Sequence, residues 1–277
     1  VIGQLIVLAN TTTSTSTTGN IYFENGTCKC PNATVGETAD INGVTYTVVD
    51  DSTIKDQFAN NNFNLCTTLV TDMEGDFPDN NFFGDNSFNY DIGFWDTSNV
   101  TNMNSVFIAS SEFNQDISSW NLSSVVQMGH MFDGATSFNQ DIASWNISNA
   151  VSIRYMFANS NFNQDIGSWD TSKVNDMQGM FYNAKVFNQN IGNWNTSNVT
   201  VLEHMFLFAE SFNQPIGNWD VSSVTNMNGM FDGATNFNQD LTNWCVSNFQ
   251  SQPDDQFSSG SALTEANKPI WGTCPSD

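Results

Sequence analysis

The sequence predicts an α/β repeat solenoid in which each coil of about 25 residues contributes one short parallel strand and one short helix. One phrase recurs along the chain: FNQDISSWN at residues 113–121 returns as FNQDIASWN at 138–146 and FNQDIGSWD at 162–170. Its opening Phe occurs seven times at steps of 25 residues, with one step of 24, and a Trp follows seven residues behind. Repeats of this length are typical of solenoids, in which each repeat buries its apolar face only against its neighbours.

Apolar residues follow two different spacings within one repeat, and these predict the strand and the helix. Trp120 and Leu122 alternate around a polar residue, which is typical of a strand. Met128, Phe132 and Ala135 lie at positions i, i+4 and i+7, which describe one face of a short helix. Each coil is therefore expected to run strand, turn, short helix, turn.

Stacking of the coils would place like residues over like residues, about 4.8 Å apart. We expect the recurring aromatic side chains to form columns in the core, represented by Phe113, Phe138, Trp120, Trp145, Trp169 and Trp194. The Asn of the recurring phrase is expected to form an internal ladder whose amides bond backbone groups of adjacent coils. Its members are Asn114, Asn139, Asn163, Asn188, Asn213 and Asn238.

The segments WDTSNVTNMNSVF at 95–107 and FNQDISSWNLSSVVQMGHMFDGATS at 113–137 resemble the repeat of the BspA-type leucine-rich-repeat surface proteins. The likeness covers about residues 70–244. It implies a curved, leucine-rich-repeat-like solenoid that is secreted or lies on the cell surface and serves adhesion or assembly. The resemblance carries over no catalytic residues.

The chain divides into four predicted parts. Residues 1–20 form an apolar arm with a Ser/Thr-rich tether, and residues 21–69 form an N-terminal cap. The repeat solenoid covers residues 70–244, and residues 245–277 close the other end. Caps are expected because open ends of a solenoid aggregate.

The cysteines lie outside the recurring phrase, towards the two ends of the chain, and predict disulfides in the caps. Cys245 is expected to pair with Cys274, and Cys66 with either Cys28 or Cys30. The remaining thiol is then free or bonded to another chain. Grouped metal ligands are not expected, since the two histidines hold no ligand spacing relative to the cysteines.

Composition excludes some classes of partner. The chain has 29 acidic and 6 basic residues and a net charge of −23, so it repels nucleic acid and anionic membranes. No apolar run reaches the roughly 18–20 residues of a membrane helix, and no membrane insertion is expected. The opening residues do not form an intact signal peptide, and a processed, extracellular protein is expected.

The recurring aspartates are the strongest candidates for catalytic residues, because paired carboxylates serve general acid–base chemistry. Their column consists of Asp91, Asp116, Asp141, Asp165 and Asp240, interrupted by Asn190 and Pro215. A feature present in nearly every coil does not mark one site, so no enzyme is expected. Calcium bridging stays open, although it needs about six to eight oxygens per ion. The variable His130, His204 and Arg154 are expected to be solvated.

Glycosylation is a further possibility if the protein passes through a eukaryotic secretory route. The sequons begin at Asn10, Asn25, Asn32, Asn99, Asn121, Asn146, Asn195 and Asn198. Asn121, Asn146 and Asn195 fall in one column of the repeat and would form a stripe of glycans.

The first residues are apolar and β-prone, with Val1, Ile2, Leu5, Ile6, Val7 and Leu8 as the candidate assembly arm. They are expected either to fold back on their own solenoid or to add as a strand to a neighbouring molecule. The second arrangement predicts an extracellular structural protein that polymerises with itself, head to tail, into a filament or sheath. The alternative is a monomeric or anchored surface adhesin that binds a host protein or a glycan.

Overall fold

The structure is a computed structural model that describes residues 19–75, 81–83, 85–253 and 256–275. Regular elements lie in the N-terminal part, apart from one 3-10 turn near the C-terminus. They are β1 (Tyr22–Glu24), β2 (Thr27–Lys29), β3 (Thr38–Ile41), β4 (Val44–Asp50), α1 (Ile54–Phe58), β5 (Leu65–Leu69) and the 3-10 helix Glu265–Asn267.

The N-terminal strands form two small sheets. Strands β1 and β2 pair antiparallel, and a second sheet has the order β3-β4-β5, with β3–β4 antiparallel and β4–β5 parallel. Both antiparallel pairs turn at an Asn-Gly dipeptide, Asn25-Gly26 and Asn42-Gly43. All four residues have positive φ, between 49° and 86°. Tight hairpins of this kind favour Asn-Gly because both central residues must be left-handed.

The repeats are joined by a column of single parallel bridges. Each repeat contributes one residue, and the column runs Asp72, Asn102, Gln127, Ser152, Asp176, Val201, Asn226.

The strand predicted around Trp120 and Leu122 is wrong. Both side chains are buried there, but the backbone is in turns, with the Trp120 amide donating to the Ile117 carbonyl. Side chains that alternate in direction also alternate in burial, even where the backbone is not paired as a strand. The backbone pairing between repeats instead involves Gln127.

The predicted short helix is also wrong, since the described repeat residues contain no helix. Met128, Phe132 and Ala135 are fully buried, as the pattern predicts. However, the amides of Met128 and Phe132 donate to carbonyls of the next repeat, and His130 and Gly134 have φ of 56° and 74°. A left-handed residue at every fourth position interrupts i→i−4 bonding and turns the helix into two successive turns.

Aromatic columns fill the core of the repeat domain. Phe113, Phe138 and the tryptophans 120, 145, 169 and 194 are at most 4% exposed. The rings of Trp169 and Trp194 stack at a centroid distance of 6.5 Å, and those of Phe113 and Phe138 at 5.9 Å. Each indole also finds a polar partner in the preceding repeat: Trp169 Nε1 donates to the Ile142 carbonyl at 3.2 Å. A buried indole N–H requires such an acceptor.

Candidate functional site

The aspartate column forms turns on the surface. Its members are exposed, and in each the Oδ1 accepts the amide two residues ahead at 2.9–3.0 Å. Asn190 makes the same bond to Gly192, so the position needs an oxygen acceptor more than a charge. Hydrogen bonds from the hydroxyl and amide of Thr242 lower the pKa of Asp240, which stays ionised at neutral pH. These carboxylates therefore act as turn acceptors.

The asparagine ladder exists, but it is not internal as predicted. Asn114 and Asn139 are exposed, yet the Asn139 amide donates to Asn114 Oδ1 at 3.1 Å. Gln140 Nε2 donates to both the carbonyl and the Oδ1 of Asn114. The same pattern joins the other repeats. The ladder ties neighbouring repeats together along a solvent-facing edge.

Two columns of sequon asparagines differ in how their amides are used. Asn121, Asn146 and Asn195 are exposed, and each Oδ1 accepts the amide of the Ser two residues ahead. Asn99 instead donates Nδ2 to the Thr68 carbonyl of the cap at 2.8 Å, and Asn198 donates to the Ser172 carbonyl of the preceding repeat at 2.6 Å. The first group leaves Nδ2 available for modification, whereas the second uses it in these bonds.

The remaining sequons lie at the N-terminal end. Asn25 is exposed in the β1–β2 turn, and Asn32 is exposed after β2. Asn10 lies outside the described residues, as do Val1, Ile2, Leu5, Ile6, Val7 and Leu8 of the candidate arm.

The N-terminal cap is fastened to the first repeat by a buried ion pair. Lys29 Nζ lies 2.8 Å from Asp96 Oδ1, and the Asp96 side chain is 2% exposed. Thr68 and Ser98 donate hydroxyls to the same carboxylate at 2.8 and 2.7 Å. Burial raises the pKa of Asp96, but the hydrogen bonds from Lys29, Ser98 and Thr68 outweigh it, so the pKa is lowered overall. An ionised Asp96 therefore holds cap and repeat together.

Two disulfides lie in the caps. Cys30 is joined to Cys66, and Cys245 to Cys274. The odd thiol is Cys28, which is fully buried beside the first disulfide, and burial raises its pKa to about 12. A buried, protonated thiol is not available to bond another chain. Disulfides are typical of oxidising compartments and are consistent with an extracellular protein.

One surface breaks the symmetry of the repeat, and sequence reasoning missed it. His130, Tyr155, Tyr182 and Phe208, here called the aromatic row, follow one another across four repeats with centroid distances of 4.9, 6.2 and 6.4 Å. His130 is not solvated as expected: its side chain is 12% exposed, and Nδ1 lies 3.0 Å from Asp133 Oδ2. Burial raises the pKa of Tyr155. Aromatic residues at variable positions were the available signal.

An open slot of about 450 Å³ with mixed polar and apolar walls, here called the cap slot, lies in the N-terminal cap. Its apolar and aromatic lining residues are Ile21, Phe23, Ala39, Ile41, Val44 and Tyr46. Gly19, the first described residue, also lines it. The slot therefore lies where the predicted arm joins the cap.

The described residues contain no group of three or more His, Cys, Asp or Glu side chains able to hold a metal ion. The same part of the chain has no helix with the length and apolar character needed to cross a membrane. Calcium bridging by the aspartate column stays a prediction.

The comparison with known families matches the repeats twice in tandem. A family model described as "Mycoplasma protein of unknown function, DUF285" matches residues 52–164 and again residues 152–268. These matches span more than half of the chain. The protein belongs to the DUF285 family. No curated protein and no solved structure matches it.

The two tandem DUF285 matches suggest a repeat domain, in agreement with the recurring phrase. The finer likeness to BspA-type surface proteins stays a resemblance. In this DUF285 protein the bridge column and the aromatic columns fall within the matched ranges, whereas the cap slot lies before them.

Proposed function

We propose that this protein is an extracellular structural subunit rather than an enzyme. Its repeats would form a curved solenoid, and its N-terminal arm would couple subunits head to tail into a filament or sheath. The observation that carries the proposal is that both ends of the repeat stack are closed, while an uncharged apolar segment precedes the cap.

The body of the subunit has the contacts that a stiff rod requires. Bridges, asparagine amides and indoles bond each repeat to its neighbours at several points around the coil. Aromatic columns stack at 5.3–6.5 Å, wider than the roughly 4.8 Å of paired strands, which suits a curved stack. Repetition of one set of contacts favours rigidity over a catalytic cleft.

Both ends have groups that take the place of a further repeat. At the N-terminal end, Asp51 accepts the amides of Thr71 and Asp72 at 2.7 and 3.1 Å. At the C-terminal end, Thr264 and Asn267 bond Asn238 as the next repeat would. Coil stacking therefore does not continue from one molecule into another, and assembly needs a separate coupling element. The arm is the candidate.

Removal of residues 1–19 tests the proposal. Light scattering and electron microscopy should show polymers of the full-length protein and monomers of the truncated one. The matched control keeps the length but replaces the six apolar arm residues by Ser and Thr, and it should also stay monomeric. Truncated protein that forms the same polymers would show that the arm is not the coupling element.

The aromatic row favours a second candidate, an adhesin that binds a glycan or a host protein. It combines exposed Phe208 with the half-buried Tyr155 and Tyr182 on one face of successive repeats. A full-length protein that stays monomeric at high concentration, and that loses ligand binding on Phe208→Ser, would support this function. Val186→Ser, at another exposed apolar residue, is the control.

A further inference from the structure

We infer that the cap slot is the acceptor for the apolar arm, residues Val1–Leu8, of a second copy of this chain. The inference rests on the proposed assembly through the arm and names the surface that receives it. It is carried by the shape and chemistry of the slot, by an unpaired strand edge beside it, and by the place where the arm joins the cap.

The slot has the chemistry of an apolar strand's binding site. Residues around β1 form one wall, and the β3–β4 hairpin forms the other. Apolar and aromatic side chains share the walls with polar groups, among them Asp40 and Asn42. Its volume of about 450 Å³ lies within the roughly 300–1,000 Å³ typical of ligand pockets. Val44 is 36% exposed in this wall, which leaves apolar surface for a partner to cover.

Strand β3 offers main-chain hydrogen bonds at the same place. It is the last strand of its sheet in the described part of the chain and pairs only with β4. Its residues alternate between exposed and half-buried, with Ala39 and Ile41 turned towards the apolar side. A strand added to this edge would gain backbone bonds and would place alternate side chains in the slot.

Charge favours the arm over other segments of this acidic protein. Residues 1–18 contain no charged side chain, whereas the whole chain has a net charge of −23. An uncharged strand can approach a second molecule without the repulsion that an acidic segment would meet. Its apolar residues would also leave water on entering the slot.

The choice of a second copy rests on the proposed assembly, in which the arm couples subunits. Gly19 lines the slot and directly follows the Ser/Thr-rich tether. Between Asn10 and Gly19 the sequence is TTTSTSTT, without Gly or Pro, and Thr-rich sequence favours extended backbone. Ten extended residues span at most about 35 Å, enough to reach a neighbouring cap.

Complementation between two full-length variants tests the inference. Val44→Trp fills the slot but keeps the arm, and Ile6→Asp with Leu8→Asp charges the arm but keeps the slot. Each variant alone should be monomeric by light scattering. Their mixture should form 1:1 heterodimers, because one arm and one slot remain. Val35→Trp is the matched control, since Val35 is also an exposed valine of the cap, 40% exposed, but lies outside the slot. It should polymerise like the wild type.

The outcomes separate the acceptor from the proposed assembly. Polymers of Val44→Trp equal to those of the wild type would show that the arm docks elsewhere, which overturns the slot and leaves the proposed function standing. Polymers of the charged-arm variant would overturn both. The wild type could instead be monomeric at every concentration, with its arm in its own slot. That result would overturn both insertion of the arm into a second copy and the proposed filament. As a second measurement, a labelled peptide of residues 1–10 should bind the charged-arm variant at least tenfold more tightly than the same variant with Val44→Trp.

Discussion

Individual turn residues set the backbone path of each repeat. Two positions per repeat are left-handed, and they hold Gly in some repeats but Tyr155 and Phe208 in others. A bulky residue with positive φ is uncommon and costs roughly 1–2 kcal/mol. In the next repeat, Gly179 lies under Tyr155 and Gly233 lies under Phe208. Each aromatic residue with a strained backbone therefore packs its ring into the space that a glycine leaves in the next repeat.

Gly179→Ala should destabilise the protein more than Gly43→Ala. Both glycines have positive φ, but a Cβ at Gly179 would overlap the ring of Tyr155, whereas one at Gly43 would meet nothing within 4 Å. We expect roughly 1–3 kcal/mol of additional loss from overpacking, measured as the free energy of unfolding in urea. Combining Tyr155→Ser with Gly179→Ala should remove the overlap and with it this additional loss of stability. Equal losses at the two glycines would contradict the contact.

Asn198→Asp should destabilise the protein, whereas Asn195→Asp should not. Asn198 Nδ2 donates to the Ser172 carbonyl at 2.6 Å, and a carboxylate cannot donate there. The expected loss is about 1–3 kcal/mol in the free energy of unfolding. Asn195 needs only its Oδ1, and Asp170 and Asp220 already fill the same position in adjacent repeats. Loss of stability at Asn195 alone would reverse the roles assigned to these two columns.

Among the elements, the N-terminal cap depends on one buried carboxylate. Asp96 accepts bonds from β2 through Lys29, from β5 through Thr68, and from its own turn through Ser98. The Cys28 amide also donates to the Phe94 carbonyl at 2.8 Å. These bonds join the small sheets to the first repeat, so the cap and the repeats should unfold together at neutral pH.

Asp96 should make this junction sensitive to acid. Its folded pKa is lowered from 3.8, so its contribution is fully present above the unfolded pKa and is lost as pH falls through the lower, folded value. The free energy of unfolding of the wild type should therefore fall more steeply below about pH 4 than that of Asp96→Asn. At pH 7 the variant should be less stable, because Lys29 loses its partner. Parallel pH profiles would show that Asp96 does not hold the cap.

The sequence predicted which residues are buried better than it predicted backbone conformation. The spacing of Met128, Phe132 and Ala135 marks three buried positions, but buried spacing alone does not reveal the left-handed φ of His130. The asparagine ladder was predicted from recurrence, whereas its exposure depends on which edge of the coil it occupies. The cap slot was not predicted, because it arises where chain segments distant in sequence meet.

For the whole molecule, the proposed solenoid makes repeats interchangeable. Each repeat bonds its neighbours through equivalent residues, so stability should approximate a sum over repeats and their interfaces. Removing whole repeats should shorten the molecule and leave the remaining contacts intact. Cutting at other points would place unlike residues over one another.

The most direct test deletes residues 138–186, which places Phe187 in the position of Phe138, in protein that lacks residues 1–19 so that it stays monomeric. The maximum dimension from small-angle X-ray scattering is the measurement. Two repeats fewer should shorten it by about 10 Å, given about 4.8 Å per repeat, in a chain that still unfolds cooperatively. A deleted chain that is unfolded, or folded without any shortening, would contradict the stacking of like residues on like.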